Sequence, residues 1–346
     1  MSITPDTLSI LDQYRVAAAR ITDQQTRVLV AAWVEAWNTV ADDVQDALDA
    51  LTATGTPTRA QVRRSRKLAA SLDALGAQLE DLAARTGIVV VGDLPSAMTL
   101  AGTTNTALIA SQLPALTGAA LVVDWDRVNP RPLAAIITRT THRIHASTLP
   151  LSDEAVTAMR RNLIRGLASG DNPRTTARRM LLDTEGRFNG GLTRALTISR
   201  TETLDAMRAA TALSNEVNAD VLGGWTWTAT LSTRTCAACW AMHGTDFPLG
   251  TPGPEGHPNC RCTAVPRTLS WAELGFVGIE EPPSLFPDAE ATFAALTPAQ
   301  QLDILGPRRH AAWLAGDYPM DAWTVRRDNP DWRASWQVSR APPVAA

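Results

Sequence analysis

The residues with the clearest chemical potential are four cysteines and one histidine that lie close together in the sequence. The chain has four cysteines, and all of them fall in one short segment, at Cys236, Cys239, Cys260 and Cys262. The first two form a Cys-x-x-Cys turn, and the last two end the sequence His257-Pro-Asn-Cys-Arg-Cys. Two such groups of thiolate and imidazole ligands are typical of a tetrahedral zinc site.

Five candidate ligands compete for the four positions around one zinc ion. We expect Cys236, Cys239, His257 and Cys260 to bind it, and the main alternative places Cys262 in the position of His257 or of Cys260. A site filled by four protein ligands has no open position for a water molecule, so we expect structural zinc. The loop between the two ligand groups is rich in glycine and proline, and zinc would stabilise it by binding only the folded form.

Other interpretations of the cysteines remain open at the level of sequence. They could pack as small hydrophobic side chains without metal. A redox Cys-x-x-Cys would be expected beside a βαβ pattern, which this sequence does not show. A disulfide scaffold would spread its cysteines through a small secreted chain, whereas here they are clustered in a long one.

The alternative to structural zinc is a catalytic zinc ion. His243 and Asp246 lie in the loop between the ligand groups, and a zinc loop that contains histidine is similar to that of small nucleases. We find no strand–helix frame with a general base to support such chemistry. The sequence also contains no P-loop, no glycine fingerprint for dinucleotides and no nucleophile elbow. We therefore expect no enzymatic activity and no small-molecule substrate.

Composition narrows the class of protein further. The chain has 346 residues, which predicts two domains or one domain with a long helical annex, and its 45% of hydrophobic residues can form a sizeable core. The net charge of −3 predicts no global attraction to DNA. No apolar run approaches the roughly 20 residues of a membrane span. The N-terminus lacks the pattern of a secretory signal, so we expect folding in a cytoplasm.

Two amphipathic seams dominate the first hundred residues. We predict a helix over residues 7–51, followed by a break at 52–58 and a second helix that ends near Gly87, which together form an antiparallel hairpin. The seams can form a core or pack on another protein. Their members are Val30, Trp33, Trp37, Val40, Val44, Ala47 and Leu51 in the first helix, and Leu68, Leu72, Leu75, Leu79 and Leu82 in the second.

The middle of the chain predicts helices separated by breaks. Residues 92–120 are small and polar, which favours a partly irregular connector, and Gly186 to Gly191 predict a loop. His142 and His145 lie on a helical stretch without acidic or cysteine neighbours, so we interpret them as ordinary surface or core residues. The predicted helices begin near residue 131 and at Ser152, Pro173 and Leu192, and the last of them ends at Val217.

The pattern changes after Gly223-Gly224. Residues 225–230 alternate apolar and polar side chains, which predicts a half-buried strand. Eight of the eleven tryptophans lie from Trp225 onward, so a different core is expected there. The predicted fold is mainly α, with a long N-terminal helical hairpin and a small α+β zinc-binding module in the C-terminal half.

Three sequence blocks resemble the Mu F-like head morphogenesis proteins, the minor capsid proteins of tailed bacteriophages. The first is Ile198-Ser-Arg-Thr-Glu-Thr, the second runs from Trp225 to Cys262, and the third is the Leu-Gly-Pro-Arg-Arg junction at 305–309. The resemblance implies a Mu F-like domain over residues 149–320 with its zinc module at 223–268. A helical region at 1–148 would precede the domain, and a C-terminal tail at 321–346, disordered from Ala341, would follow it.

The same resemblance implies a structural virion component that lies in the head near the portal vertex. Its expected partners are the portal protein and the major capsid protein, with possible contact to packaged DNA. Arg200 and Glu202 would tie their helix to the zinc module through charge-assisted bonds. The alternatives are a zinc-dependent nuclease or DNA-processing enzyme packaged in the virion, and a zinc-ribbon protein that binds nucleic acid.

Overall fold

The computed structural model describes residues 2–55, 58–114, 128–148, 173–329 and 333–341. The fold is mainly helical with a few short strands, and an α+β region with a Cys/His cluster lies in the C-terminal half, as the sequence predicted. The described residues fall into two compact units. We call them the helical unit (Arg20–Asp93 and Ile137–Thr203) and the cysteine unit (Met1–Ala19, Leu94–Ile136 and Leu204–Ala346).

Five helices form the larger part of the described chain. None of the helices within the described ranges is both long enough and apolar enough to cross a membrane. Their bounds are Pro5–Thr52 (α1), Arg59–Arg64 (α2), Arg66–Ala110 (α3), Pro130–Thr148 (α4) and Pro173–Val217 (α5).

The core of the helical unit confirms the two predicted seams. All five leucines of the second seam are buried, and they pack against Trp33, Val40, Val44 and Ala47 of α1. Ala195 of α5 joins the same cluster, so the seams form a core within this unit. One residue that was predicted to belong to the seam of α1 is exposed.

That residue is Val30, whereas its neighbour Leu29 is fully buried. The buried side chains of α1 follow the 3.6-residue period of the helix, which places residue 29, and not 30, in line with Trp33. Trp37 and Leu51 are partly buried at the edge of the cluster.

Two predicted interruptions are helical in the structure. The expected end of the second helix near Gly87 is wrong, and so is the first part of the expected connector at 92–120, because α3 continues to Ala110 with Pro95 inside it. Leu94, Ala97 and Met98 are buried on that stretch, and this packing outweighs the local helix-breaking preference of proline. The loop expected at 186–191 is also wrong, because α5 runs through all three glycines of this stretch without a break.

Several predictions fall partly on residues outside the described ranges. The helix that was expected from Ser152 to Gly170 lies among them, as do the boundary at 148/149 and the end of the C-terminal tail. The helix expected to restart at Pro173 does begin there. The segment boundaries themselves remain a prediction.

The cysteine unit contains a three-stranded antiparallel sheet with strand order β2-β1-β3. Its strands are β1 (Leu222–Thr228), β2 (Asp246–Phe247) and β3 (Thr263–Thr268), and the short helix α6 (Ala237–Met242) lies between the first two in sequence. In the central strand, Trp225 lies opposite Phe247 of β2 and Pro266 of β3.

Strand β1 was expected to be half-buried, and this is wrong, because it is buried on both faces. Trp225 and Trp227 face the cysteines, while Thr226 pairs with Val265 on the other face. Val265 packs against Ile3 and Leu11 of the N-terminal segment, which therefore helps to cover the second face. A covered second face explains why polar threonines at alternate positions are buried here.

The end of the chain adds two helices and a hairpin. They are α7 (Ala289–Ala294), α8 (Pro298–Leu314), β4 (Thr324–Arg327) and β5 (Ser335–Val338). Thr297 caps α8 in a reciprocal capping box with Gln300, and Gly306 kinks the helix with φ of 72°. Trp323, just before β4, and Val338 of β5 share a core cluster with Trp240 of α6. The hairpin is thus packed within the cysteine unit.

Candidate metal centre

The first pair of thiols is positioned by the start of α6. Cys236 directly precedes the helix, and the backbone N–H of Trp240 donates to its carbonyl at 3.1 Å. Cys239 lies three residues further on, and residues at this spacing share one face of a helix. The Cys-x-x-Cys sequence therefore presents both sulfur atoms to the same point.

The second group is positioned by a tight turn from His257 to Cys260. The N–H of Cys260 donates to the carbonyl of His257 at 3.0 Å, and Asn259 has a positive φ of 64°. Proline at the second position and asparagine with positive φ at the third are typical of a type II turn. The sequence Pro258-Asn259 thus accounts for the local shape that brings His257 and Cys260 together.

The histidine ring is oriented for ligation through one nitrogen. Nδ1 of His257 donates to the carbonyl of Pro258 at 2.7 Å, which leaves Nε2 directed at the thiols. Nε2 lies 3.1 Å from Sγ of Cys236 and 3.5 Å from Sγ of Cys239. A ligating histidine commonly donates its other ring N–H to a carbonyl in this way.

The atom separations fit a tetrahedral zinc site. Bond lengths of about 2.3 Å to sulfur and about 2.0–2.1 Å to nitrogen imply separations of about 3.8 Å between two sulfur ligands and about 3.5 Å between sulfur and nitrogen. The structure places Sγ of Cys239 and Cys260 3.8 Å apart and Nε2 of His257 3.5 Å from Sγ of Cys239, as expected, while the 3.1 Å from Nε2 to Sγ of Cys236 is shorter. The donor set and the geometry therefore suit zinc.

All five predicted ligands lie together. Two groups of three can each surround a metal ion, Cys236 with Cys239 and His257, and Cys239 with Cys260 and Cys262. Cys239 belongs to both groups, and within each group the ligand atoms lie within 4.8 Å of one another. The cluster can thus hold a metal, while the choice of four ligands among five remains a prediction.

The cluster favours a thiolate beside a charged imidazole when no metal is bound. Hydrogen bonds, first from Cys239 and then from His257, lower the pKa of Cys236 to about 5 despite the opposing effect of burial. The hydrogen bond with Cys236 raises the pKa of His257 to about 9. Cys260 also has a lowered pKa, because Cys239 and Cys262 donate to its sulfur and Arg208 lies nearby. Without metal, the site thus stabilises the deprotonated forms of Cys236 and Cys260, while the pKa values of Cys239 and Cys262 are raised by their neighbouring thiols and by burial.

Arg208 is a site residue that sequence reasoning missed. It lies on α5, is buried, and donates from Nε to the carbonyl of Cys262 at 3.0 Å. Its Nη2 donates to the carbonyls of Cys260 at 2.5 Å and Cys262 at 2.9 Å. No sequence spacing signals this contact, because its partners lie more than 50 residues further along the chain.

The residues expected to tie α5 to the module were Arg200 and Glu202. Glu202 lies 3.9 Å from Arg143 within the helical unit, and the tie from Arg200 and Glu202 to the module stays a prediction. The charge-assisted bonds to the cysteine segment described above come from Arg208, two helical turns further along α5.

The loop residues considered for catalysis have structural partners. His243 is buried, its Nδ1 accepts from the N–H of Ala229 at 3.1 Å, and its Nε2 donates to the carbonyl of Pro287 at 3.0 Å. Burial lowers the pKa of His243. Asp246 accepts from the hydroxyl of Thr226 at 2.5 Å. Neither residue belongs to the metal-binding groups found among the described residues.

Comparison with known protein families places part of the chain beside a phage family. The family model described as Phage Mu protein F like protein matches residues 157–265, a stretch that includes all five candidate ligands. The chain matches no curated protein and no solved structure. The match to the phage Mu protein F-like family therefore covers about a third of the chain.

Proposed function

We propose that the chain is a structural minor capsid protein of a tailed bacteriophage, associated with the portal and the capsid interior during head assembly. The observation that carries the proposal is the family match at residues 157–265. Its partners in this proposal are the portal protein and the major capsid protein, with possible contact to packaged DNA. It would act in the host cytoplasm during assembly and remain in the head near the portal vertex.

The cysteine cluster has a structural role in this proposal. Zinc held by four of Cys236, Cys239, His257, Cys260 and Cys262 would join α6 to the turn that precedes β3. It would thereby fix both ends of the segment between the two ligand groups, which includes the end of α6 and strand β2. Because zinc binds only the folded arrangement of these ligands, it would stabilise the whole segment.

A closed ligand set also favours a non-enzymatic role. The buried position of Cys239, Cys260 and Cys262 supports ligation entirely by protein groups. Such a site lacks the open coordination position that hydrolytic zinc enzymes use for water. We therefore propose no catalytic residues and no small-molecule substrate.

The proposal is tested by mass spectrometry of phage particles separated by assembly stage. We expect the chain in portal-containing heads and not in tail-only particles. A Cys239→Ser variant should give fewer complete heads, and the exposed change Ser9→Ala on α1 should not. Absence from heads at every stage would contradict the proposal, and metal-dependent cleavage of DNA by the purified chain would favour the packaged nuclease.

A further inference from the structure

Arg208 is the buried cation at the candidate metal centre. Its guanidinium spans the Cys260-Arg261-Cys262 segment by donating to the first and last carbonyls of that segment. The planar group offers its donors in a fixed fork, so this contact fixes the orientation of the segment as well as its distance from α5. Both cysteines of the second ligand group are thus held from their backbone side.

The guanidinium is in turn held by a second ion pair. Its Nη1 donates to Oδ1 of Asp205 at 2.7 Å, one helical turn earlier on α5. The same oxygen accepts from Nη2 of Arg333 at 2.7 Å. Asp205 therefore joins α5 to the strand region of the C-terminal hairpin, since Arg333 lies two residues before β5.

The charges of the two groups are complementary. Three thiolates and a neutral imidazole around Zn²⁺ carry one net negative charge, and four thiolates would carry two. Arg208, Asp205 and Arg333 together carry one net positive charge, and all three side chains are largely buried. A buried negative site without such a partner would be strongly unfavourable.

We propose that Arg208 is the positioning residue of the metal centre, which orients the Cys260–Cys262 segment and offsets the charge of the bound thiolates. The inference rests on the proposed zinc site and extends it to a residue that does not bind the metal. The charge balance favours three cysteines and His257 as the ligand set. Asp205 and Arg333 hold the guanidinium in place, so the hairpin supports the metal centre through them.

The test measures zinc binding by the full chain in competition with a coloured chelator. Arg208→Gln removes the charge and the fork while keeping most of the side-chain length. Loss of a residue that orients metal ligands typically weakens metal binding by about 10–100-fold, and we expect an effect of this size. Arg309→Gln is the matched control, because Arg309 is partly buried and also donates to backbone carbonyls, those of Ser339 and Leu305. The control should bind zinc like the wild type.

Cobalt substitution separates positioning from general stability. Absorption by Co²⁺ at the site reports the number and arrangement of thiolate ligands, and we expect Arg208→Gln to change this spectrum at temperatures where the protein is folded. A purely stabilising role would lower the melting temperature equally with and without metal and would leave the spectrum unchanged. That result would overturn the proposal, as would unchanged zinc affinity in Arg208→Gln.

A second variant covers the case in which Arg208→Gln does not fold. Arg208→Lys keeps the charge but loses the fork, so we expect zinc binding weaker than that of the wild type. Wild-type affinity and spectrum in Arg208→Lys would show that the fork is not needed and would contradict the positioning role. If the wild-type chain itself binds no zinc, the proposed metal site fails first, and that failure is distinct from an unaffected Arg208 variant.

Discussion

At the scale of single residues, the metal centre depends on close approach as well as on its ligands. Gly256 directly precedes His257, and a Cβ atom at this position would overlap both Sγ and Cβ of Cys260. The backbone of the loop can therefore pass beside the cysteine only because residue 256 has no side chain. The glycine is as specific a requirement of the site as the type II turn that follows it.

Replacing Gly256 by alanine should accordingly disturb the site. We expect Gly256→Ala to lower the free energy of unfolding by about 1–3 kcal/mol, since overpacking forces neighbouring atoms to move. Zinc retention should fall as well, because the displaced atoms, Sγ and Cβ, belong to the candidate ligand Cys260. Gly190→Ala is the control, because Gly190 lies in α5 with open space around it, and alanine there should stabilise the helix by about 0.5–1 kcal/mol. Urea unfolding measures the free energy of unfolding of the two variants. An equal change in Gly256→Ala and Gly190→Ala would contradict the predicted overlap.

The protonation of Cys236 gives a second prediction at this scale. Because the pKa of its thiol is lowered to about 5, Cys236 in the metal-free chain should react with iodoacetamide at pH 6.5, and bound zinc should protect it. The buried Cys262, whose pKa is raised, should stay unmodified. Peptide mapping by mass spectrometry locates the label. Labelling of Cys236 that begins only near pH 9 would contradict the lowered pKa.

The same two groups make the stability of the metal-free chain depend on pH. The contribution of Cys236 is present above its ordinary pKa of 9 and is lost as the pH falls through about 5. The contribution of His257 is present below its ordinary pKa of 6.5 and is lost as the pH rises through about 9. The thiolate–imidazolium pair of Cys236 and His257 is charged mainly between about pH 5 and about pH 9, and it stabilises the metal-free fold in that range.

The residues of the site were predictable from sequence to the extent that they lie close together along the chain. The ligands share one segment, and thiolate and imidazole at short spacings indicate zinc by their chemistry alone. Arg208 could not be found in this way, because its contacts with Cys260 and Cys262 depend on where the fold places α5. Spacing reveals residues that a single turn brings together, but not partners from separate elements.

At the scale of elements, a polar cluster joins three helices inside the helical unit. Oε1 of Gln25 on α1 accepts from the hydroxyls of Ser199 at 2.9 Å and Thr203 at 3.1 Å, both on α5. Its Nε2 donates to Asp93 of α3 at 3.1 Å. Gln25 is fully buried, so these bonds replace its contacts with water. The cluster fixes the relative register of the helices where apolar packing alone would allow sliding.

Removing the side chain of Gln25 should destabilise the helical unit. We expect Gln25→Ala to lower the free energy of unfolding by about 2–4 kcal/mol, since it leaves buried hydroxyl groups without their partner. Gln13→Ala is the matched control on the same helix, because Gln13 is exposed and bonds only locally to Ser9. The control should change stability by no more than about 0.5 kcal/mol. Thermal unfolding compares the two, and equal melting temperatures would show that the cluster is not stabilising.

Sequence periodicity predicted the elements well wherever apolar residues decided the outcome. The leucine seam of α3 is buried as expected, because a four–three spacing has one satisfactory arrangement in a helix. The errors at Pro95 and at Gly190-Gly191 came from treating helix breakers as boundaries. In both places the surrounding helix is long, and one or two unfavourable residues do not end it.

At the scale of the whole molecule, the chain combines two compact units of different character. The helical unit relies on apolar seams and a polar cluster, whereas the cysteine unit combines a small sheet, tryptophan-rich cores and the candidate metal centre. The family match extends from outside the described ranges into β3 and includes every candidate ligand. The account therefore depends most on whether this segment holds a metal ion.

Native mass spectrometry of the intact chain, purified without added chelator, tests that claim most directly. We predict one zinc ion per chain, retained by the wild type and lost in a Cys239→Ser variant, because Cys239 belongs to both possible ligand groups. Parallel circular dichroism should show that the helices of the variant are preserved. A wild-type mass that corresponds to the metal-free chain, with zinc supplied during expression, would contradict the account.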